Sequence, residues 1–322
     1  MLMKDKVGAK LSKLLKRNSS FLSLVLLIAI TTIVTVYKLK IQLEIGPMWD
    51  SFSFLINAQF FAGQGVNIDV IRPVFLSFLT SLLFRMGYIS TVTISIVDSA
   101  FFVSGVIGLY LFLKLRFNDI QSLLGSLIFI SFPVILLWVG VGYTDIASTS
   151  FSIWALYLTV LAVKKNPKFF YLTFPLLILA FLTRFSAAIT IFPILFYILI
   201  NRSYVKNLKE ISVGIGLSLL ILAPTLIFWY YMLGNPFLPF LGTYCSSSGP
   251  SSADRFSYNP DHFFYVKNAL YCFFNLNFLN TSSLTVLAAF LICEITIIYS
   301  IMMGLVIYLH KILRTKKMNL NL

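Results

Sequence analysis

The chain has 322 residues, 59% of them hydrophobic and 11% charged, and its mean hydropathy is +0.91, whereas soluble domains are usually about 45–50% apolar. Repeated runs of roughly 17 or more apolar residues point to an all-α fold, a polytopic transmembrane helical bundle, and the alternating pattern of a membrane β-barrel is absent. The net charge of +14 is not read as nucleic-acid binding, because Lys and Arg gather at helix ends, where they set orientation and meet anionic headgroups.

Residues 1–20 contain KDKVGAKLSKLLKR, a basic, partly amphipathic arm expected on the cytoplasmic side. No small-residue cleavage site follows, so the first apolar run, residues 21–37, is read as a retained anchor. It delivers the first external loop, residues 38–91, which holds IGPMWDSFSFLINAQFFAGQG. From Asp50 to Phe61 no Pro or Gly intervenes, and a short helix is predicted there. Asp50 stands at its start, where a carboxylate can cap free backbone N–H groups. Ser53 and Asn57 fall near Asp50 on one face. Phe52, Leu55, Ile56 and Phe60 fall on the other, which is expected to lie in the membrane interface.

The apolar run 74–83 is short and stops before Arg85. Runs of about 10–14 residues are more often re-entrant or interfacial than spanning. If it does not cross, the later basic loops fall inside, as the positive-inside rule requires. Further spans are expected at residues 92–113, 120–139, 150–163, 211–232 and 284–309. The stretch 169–200 is too long for one span of about 30 Å and reads as two short helices broken at Arg184. This gives about eight spans, with interfacial helices in the first external loop and both ends cytoplasmic. Further external loops are expected at residues 140–149 and 233–283. The domain reading is a cytoplasmic arm (1–20), a transmembrane domain (21–310) and a cytoplasmic basic tail (311–322).

Under this topology Asp50, Asp69, Arg72, Asp98, Asp145, Arg184, Asp254, Arg255, Asp261 and His262 all lie at or near the outer face. Ionisable groups in or near a bilayer are costly unless paired or wet, so their convergence implies one polar cavity. Asp50 and Asp145 suit acid–base work. Arg184 and Arg72 suit a phosphate, which a guanidinium can grip with two parallel bonds. Each also has a plainer reading: a helix cap for Asp50 or Asp145, a lipid-phosphate contact or snorkelling for Arg184, a pair with Asp69 for Arg72, and a local partner or cap for Asp98. Glu294 lies deep in the last span, without an evident partner. Three cysteines make no disulfide scaffold; Cys245 and Cys272 fall in one external segment, paired or free, and Cys293 is read as packing. Asp261-His262 is a weak metal fragment. Two carboxylates are compatible with a divalent metal, but none is predicted, and no cofactor is expected.

Along the chain, Asp50 is followed by Phe54, Ala58 and Gly65, then by an Arg-Pro step opening IRPVFLSFLTSLLFRMG, then by YTDIASTSF, FLTRFSAAITIFPILFYIL and GNPFLPF. This series resembles the GT-C superfamily of polytopic glycosyltransferases, above all the protein O-mannosyltransferases and the aminoarabinose transferases acting on lipid A. YTDIASTSF is similar to the second external acidic motif of that group, FLTRFSAAITIFPILFYIL to its basic helix turn, and GNPFLPF to the external turn of many prokaryotic members. The likeness covers residues 20–240. It implies that Asp50 is the catalytic carboxylate, that Asp145 holds the second acidic position and that Arg184 holds the basic one. Many relatives carry an acidic residue beside the first Asp, where this chain has Ser51. Relatives usually have more spans and often a C-terminal external domain, which is not expected here.

The resulting expectation is an inverting glycosyltransferase in the cell membrane, multi-pass. Its donor would be a sugar on polyprenyl or dolichyl phosphate, since no nucleotide is available outside the cell. Its acceptor would be a hydroxyl of a glycan, protein or lipid. Membrane lipids are the other expected partners, and nucleic acid is not one. Two alternatives come from other classes: a transporter or flippase of a lipid-linked or anionic solute, and a non-catalytic membrane subunit related to GT-C enzymes.

Overall fold

The structure is a computed structural model that describes residues 2–202 and 208–239, with the backbone alone for residues 2–18. Every regular element among the described residues is helical: α1 (Leu2–Ile45), α2 (Asp50–Ala62), α3 (Phe75–Arg85), α4 (Val92–Leu113), α5 (Asp119–Ser131), α6 (Pro133–Trp138), α7 (Thr144–Lys164), α8 (Phe170–Thr183), α9 (Ile191–Ile200) and α10 (Lys209–Leu233), with 3-10 turns at Pro167–Phe169 and Phe185–Thr190. The described residues divide into two units. One holds 2–127 with the described part of 138–239, and the other holds 128–137. The expected span 284–309, the cysteines 245, 272 and 293, and Asp254, Arg255, Asp261, His262 and Glu294 lie outside the described residues.

Four of the described helices are long and apolar enough to cross a membrane: Ser19–Ile45, Val92–Leu113, Thr144–Lys164 and Lys209–Leu233. The first runs further than the expected 21–37, because no residue before Gly46 and Pro47 breaks it. The expected span 120–139 is instead two pieces, α5 and α6, which break at Phe132-Pro133. Proline lacks the N–H that would continue α5, and its ring disfavours helical backbone before it. α3 has 11 residues and reaches only about 16 Å, short of the ~30 Å hydrocarbon core. The break expected at Arg184 is present: its backbone is extended (φ −152°, ψ 120°) between α8 and the turn Phe185–Thr190.

Side-chain contacts set the register of the larger unit. Trp154 Nε1 on α7 donates to the Ser104 carbonyl and Oγ on α4, both at 3.1 Å. With the Asp98–Gly140 contact near their N-termini, this makes α4 and α7 parallel. α8 and α10 are also parallel. Gly214 lies against the Phe170 carbonyl, and Leu182 shares a core with Trp229. α1 runs the other way: Lys114 at the end of α4 bonds Ser20, while Leu39 and Gln42 lie beside Thr91, Val92 and Ser95. Between helices in lipid the gain comes from close packing rather than from leaving water.

The short helices α2 and α3 fold onto one end of this set. Phe54, Leu55 and Ala58 of α2 pack with Leu76 and Phe84 of α3, Ile94 of α4 and Ala147 of α7. Leu55 is therefore buried, not turned to the membrane interface as its helical position implied. Phe52 and Ile56 do remain exposed, and Phe60 is half-buried.

Candidate active site

Helix α2 carries buried polar groups on its inner side, and they tie it to two loops. Ser51 Oγ donates to the Val141 carbonyl at 2.8 Å. Asn57 makes a reciprocal pair with the Asp69 backbone: its Nδ2 donates to the carbonyl at 2.9 Å, and its Oδ1 accepts the N–H at 2.7 Å. Both side chains are fully buried. A buried amide whose bonds are made fixes a loop, whereas the same group unpaired would cost about 1–3 kcal/mol. The Asn57 pair sets the chain from Asp69 to Arg72 against the start of α2.

Arg72 then meets Asp50. Its Nη1 and Nη2 donate to Oδ2 and Oδ1 at 2.9 and 2.8 Å, and its Nε lies 3.5 Å from Asp69 Oδ2. The anticipated Arg72–Asp69 pair is thus the looser part of a three-residue cluster. Asp50 is not the helix cap its position allowed. Trp49 occupies the cap position without a side-chain bond, at φ 41°, and the Asp50 carboxylate is turned to the guanidinium.

The second acid follows a tight turn. Gly140 and Gly142 have φ of +77° and +80°, and a Cβ on Gly142 would come 2.7 Å from Ile94 Cγ2. Glycine alone accepts both the left-handed backbone and the close approach to α4. Tyr143 caps α7 from an extended conformation without a side-chain bond. Asp145 therefore sits in the first helical turn, not in a loop. It does not cap the helix: its Oδ2 is 2.5 Å from Arg184 Nη1. Arg184 Nε also donates to Ser186 Oγ at 3.1 Å. The extended backbone that breaks 169–200 is what brings this guanidinium to α7.

The two pairs are electrostatically joined. Burial first, and then the Asp50 charge, push the Tyr143 phenol above its ordinary range. Asp145 adds to that push, while Arg72 and the Asp50 backbone oppose it. The Asp50 charge also reaches Asp145 directly. Asp50, Arg72 and Asp145 thus all act on Tyr143, with Asp69 paired to Arg72 and Arg184 paired to Asp145. The four paired side chains are 33–47% exposed, so they face an accessible space. Asp98 is fully buried in α4, and its Oδ2 accepts the Gly140 N–H at 2.9 Å; it is neither a cap nor a short-range partner. The sequence reading noted Ser51 only as a departure from its relatives, passed over Tyr143 and placed Asn57 only beside Asp50. Ser51 and Asn57 standing in the same stripe as Phe54, Leu55 and Ala58 was the available signal. Among the described residues no three His, Cys, Asp or Glu side chains converge as metal ligands.

Residues 71–229 match the family model described as dolichyl-phosphate-mannose-protein mannosyltransferase. That family is one of the GT-C superfamily. No curated protein and no solved structure matches the chain. The matched stretch is just under half of the chain; it contains Arg72, Asp145 and Arg184, and Asp50 lies before it. Helix α2 joins Asp50 to the matched stretch through the Ser51–Val141 and Asp50–Arg72 contacts. The family is one of membrane glycosyltransferases, and the apolar helices agree with a membrane protein.

Proposed function

We propose that the protein transfers a sugar from a polyprenyl or dolichyl phosphate donor to an acceptor hydroxyl at the outer face of the cell membrane, with inversion at the anomeric carbon. The observation that carries this reading is the presence of two carboxylate–guanidinium pairs, Asp50–Arg72 and Asp145–Arg184, whose two carboxylates both act on the Tyr143 phenol. The family match supplies the reaction class.

In the proposed reaction the acceptor oxygen attacks the anomeric carbon from the face opposite the phosphate. The new C–O bond forms as the bond to the phosphate oxygen breaks, and the electron pair leaves with the lipid phosphate. Asp50 takes the hydroxyl proton, which requires an ionised carboxylate within hydrogen-bond reach. Arg184, aided by Arg72, holds the phosphate and the negative charge that grows on it. A guanidinium has five N–H donors, so contact with a carboxylate leaves donors for a phosphate. Asp145 orients Arg184 and the bound sugar. The opposite helix ends carry Lys114, Arg116, Lys164, Lys165 and Lys168, which by the positive-inside rule supports an acidic site on the outer side.

Purified protein in liposomes containing a radiolabelled polyprenyl-phosphate hexose tests this reading. Transfer of label to added glycan, peptide or lipid acceptors, with an inverted anomer by NMR, is the expected result. Movement of the intact lipid-linked sugar across the bilayer without transfer would favour a flippase instead.

A further inference from the structure

The Asp98 carboxyl is buried in a membrane-spanning helix, yet the proposed chemistry does not use it. It stands six residues into α4, about 9 Å below the helix start, and has no exposed surface. An acidic group at such depth is costly and calls for a reason. Its Oδ2 takes the Gly140 N–H at 2.9 Å, while its Oδ1 meets no donor within hydrogen-bond distance. The Gly142 backbone also acts on the carboxyl electrostatically.

Gly140 opens the turn that leads into Tyr143 and Asp145. The next carbonyl, that of Val141, takes the Ser51 hydroxyl at 2.8 Å, and Ser51 is the neighbour of Asp50. A path of two hydrogen bonds and one peptide unit therefore runs from α4 through the turn to the residue beside Asp50. Within the turn the Val141 N–H donates to the Trp138 carbonyl at 3.3 Å, a long bond, and glycines at both ends leave the turn wide backbone freedom.

We infer that Asp98 is a positioning residue: by fixing the Gly140–Gly142 turn on α4, it sets Asp50 and Asp145 at their working separation. It acts as a hydrogen-bond acceptor and touches no substrate. The role in catalysis rests on the sugar-transfer reading, while the role in holding the turn does not.

Two variants and two measurements test this on the full-length protein in detergent. Asp98→Asn keeps an acceptor oxygen, and Asp98→Leu keeps the bulk but removes it. Hydrogen exchange followed by mass spectrometry is read over residues 138–143. Transfer from the labelled lipid-phosphate hexose is read as kcat and donor KM. The Leu variant is expected to exchange at least about tenfold faster in this segment and to lose about tenfold or more in kcat, as for a lost buried hydrogen bond. Its KM should change less than about threefold, because Arg184 is held from α8. The Asn variant should restore both readouts. Unchanged exchange in the Leu variant, or equal damage in the Asn variant, would overturn the inference. If the Leu variant does not fold, the Asn variant decides alone: wild-type exchange and kcat support the acceptor role, and a tenfold change in either refutes it. If the wild type transfers no sugar, the functional reading fails, and the exchange readout still judges Asp98.

Discussion

Arg72 grips Asp50 with both terminal nitrogens, Nη1 to Oδ2 at 2.9 Å and Nη2 to Oδ1 at 2.8 Å. Their side chains are 39% and 47% exposed, so the pair adds at most about 1 kcal/mol to stability. Its main effect is orientation: a planar fork fixes the plane of the carboxylate, which a point charge does not. Arg72→Lys is therefore expected to melt close to the wild type but to transfer sugar about tenfold more slowly. Steady-state kinetics beside a melting curve checks this. A wild-type kcat in the Lys variant would show that charge alone suffices.

Gly214 and Gly216 share one helix but meet different surroundings. A Cβ on Gly214 would come 2.3 Å from the Phe170 carbonyl oxygen, while nothing lies within 4 Å of one on Gly216. Gly214→Ala should force α10 from α8, at an expected cost of about 1–3 kcal/mol. Gly216→Ala should stabilise by up to about 1 kcal/mol through helix propensity. Thermal denaturation in detergent ranks the two, and the reverse order would contradict this packing of α8 on α10.

Tyr143 links pH to the site. Burial, and next the Asp50 charge, raise its phenol above the ordinary tyrosine range. A proton held more tightly in the folded chain gives stability that is full below the unfolded pKa of about 10 and is lost as pH rises through the higher folded value. Melting temperatures measured from about pH 9 to 11 should therefore fall more steeply for the wild type than for Tyr143→Phe. Asp50→Asn should also soften the slope. Identical alkaline slopes in all three proteins would break the link between Tyr143 and Asp50.

Much of the architecture was legible in the sequence because it depends on local signals. Unbroken apolar length located α4 and α10 within a residue or two. The absence of Pro and Gly after Asp50 located α2, and an over-long apolar run with an internal Arg located the break at Arg184. Pro133 was an equally local signal and was not used, which is why α5 and α6 were read as one span. The pairings were harder to see. Asp50 and Arg72 are 22 residues apart, and Asp145 and Arg184 are 39 apart, so no helical period joins them. Asp98 is more distant still from a recognisable pattern, since its partner is a backbone N–H on a glycine 42 residues away. Leu55 was misplaced for a related reason: helical position fixes which residues share a face, but the neighbours of α2 decide which face is covered.

The most direct measurement is the transfer rate of Asp50→Asn in proteoliposomes loaded with a polyprenyl-phosphate hexose. Asparagine keeps the size of the side chain and one acceptor for Arg72 but cannot take the acceptor's proton. A fall in kcat of about 10²–10⁴-fold, the usual contribution of a general base, is predicted in a protein that melts like the wild type. Transfer at the wild-type rate would contradict the assignment of Asp50 as the base.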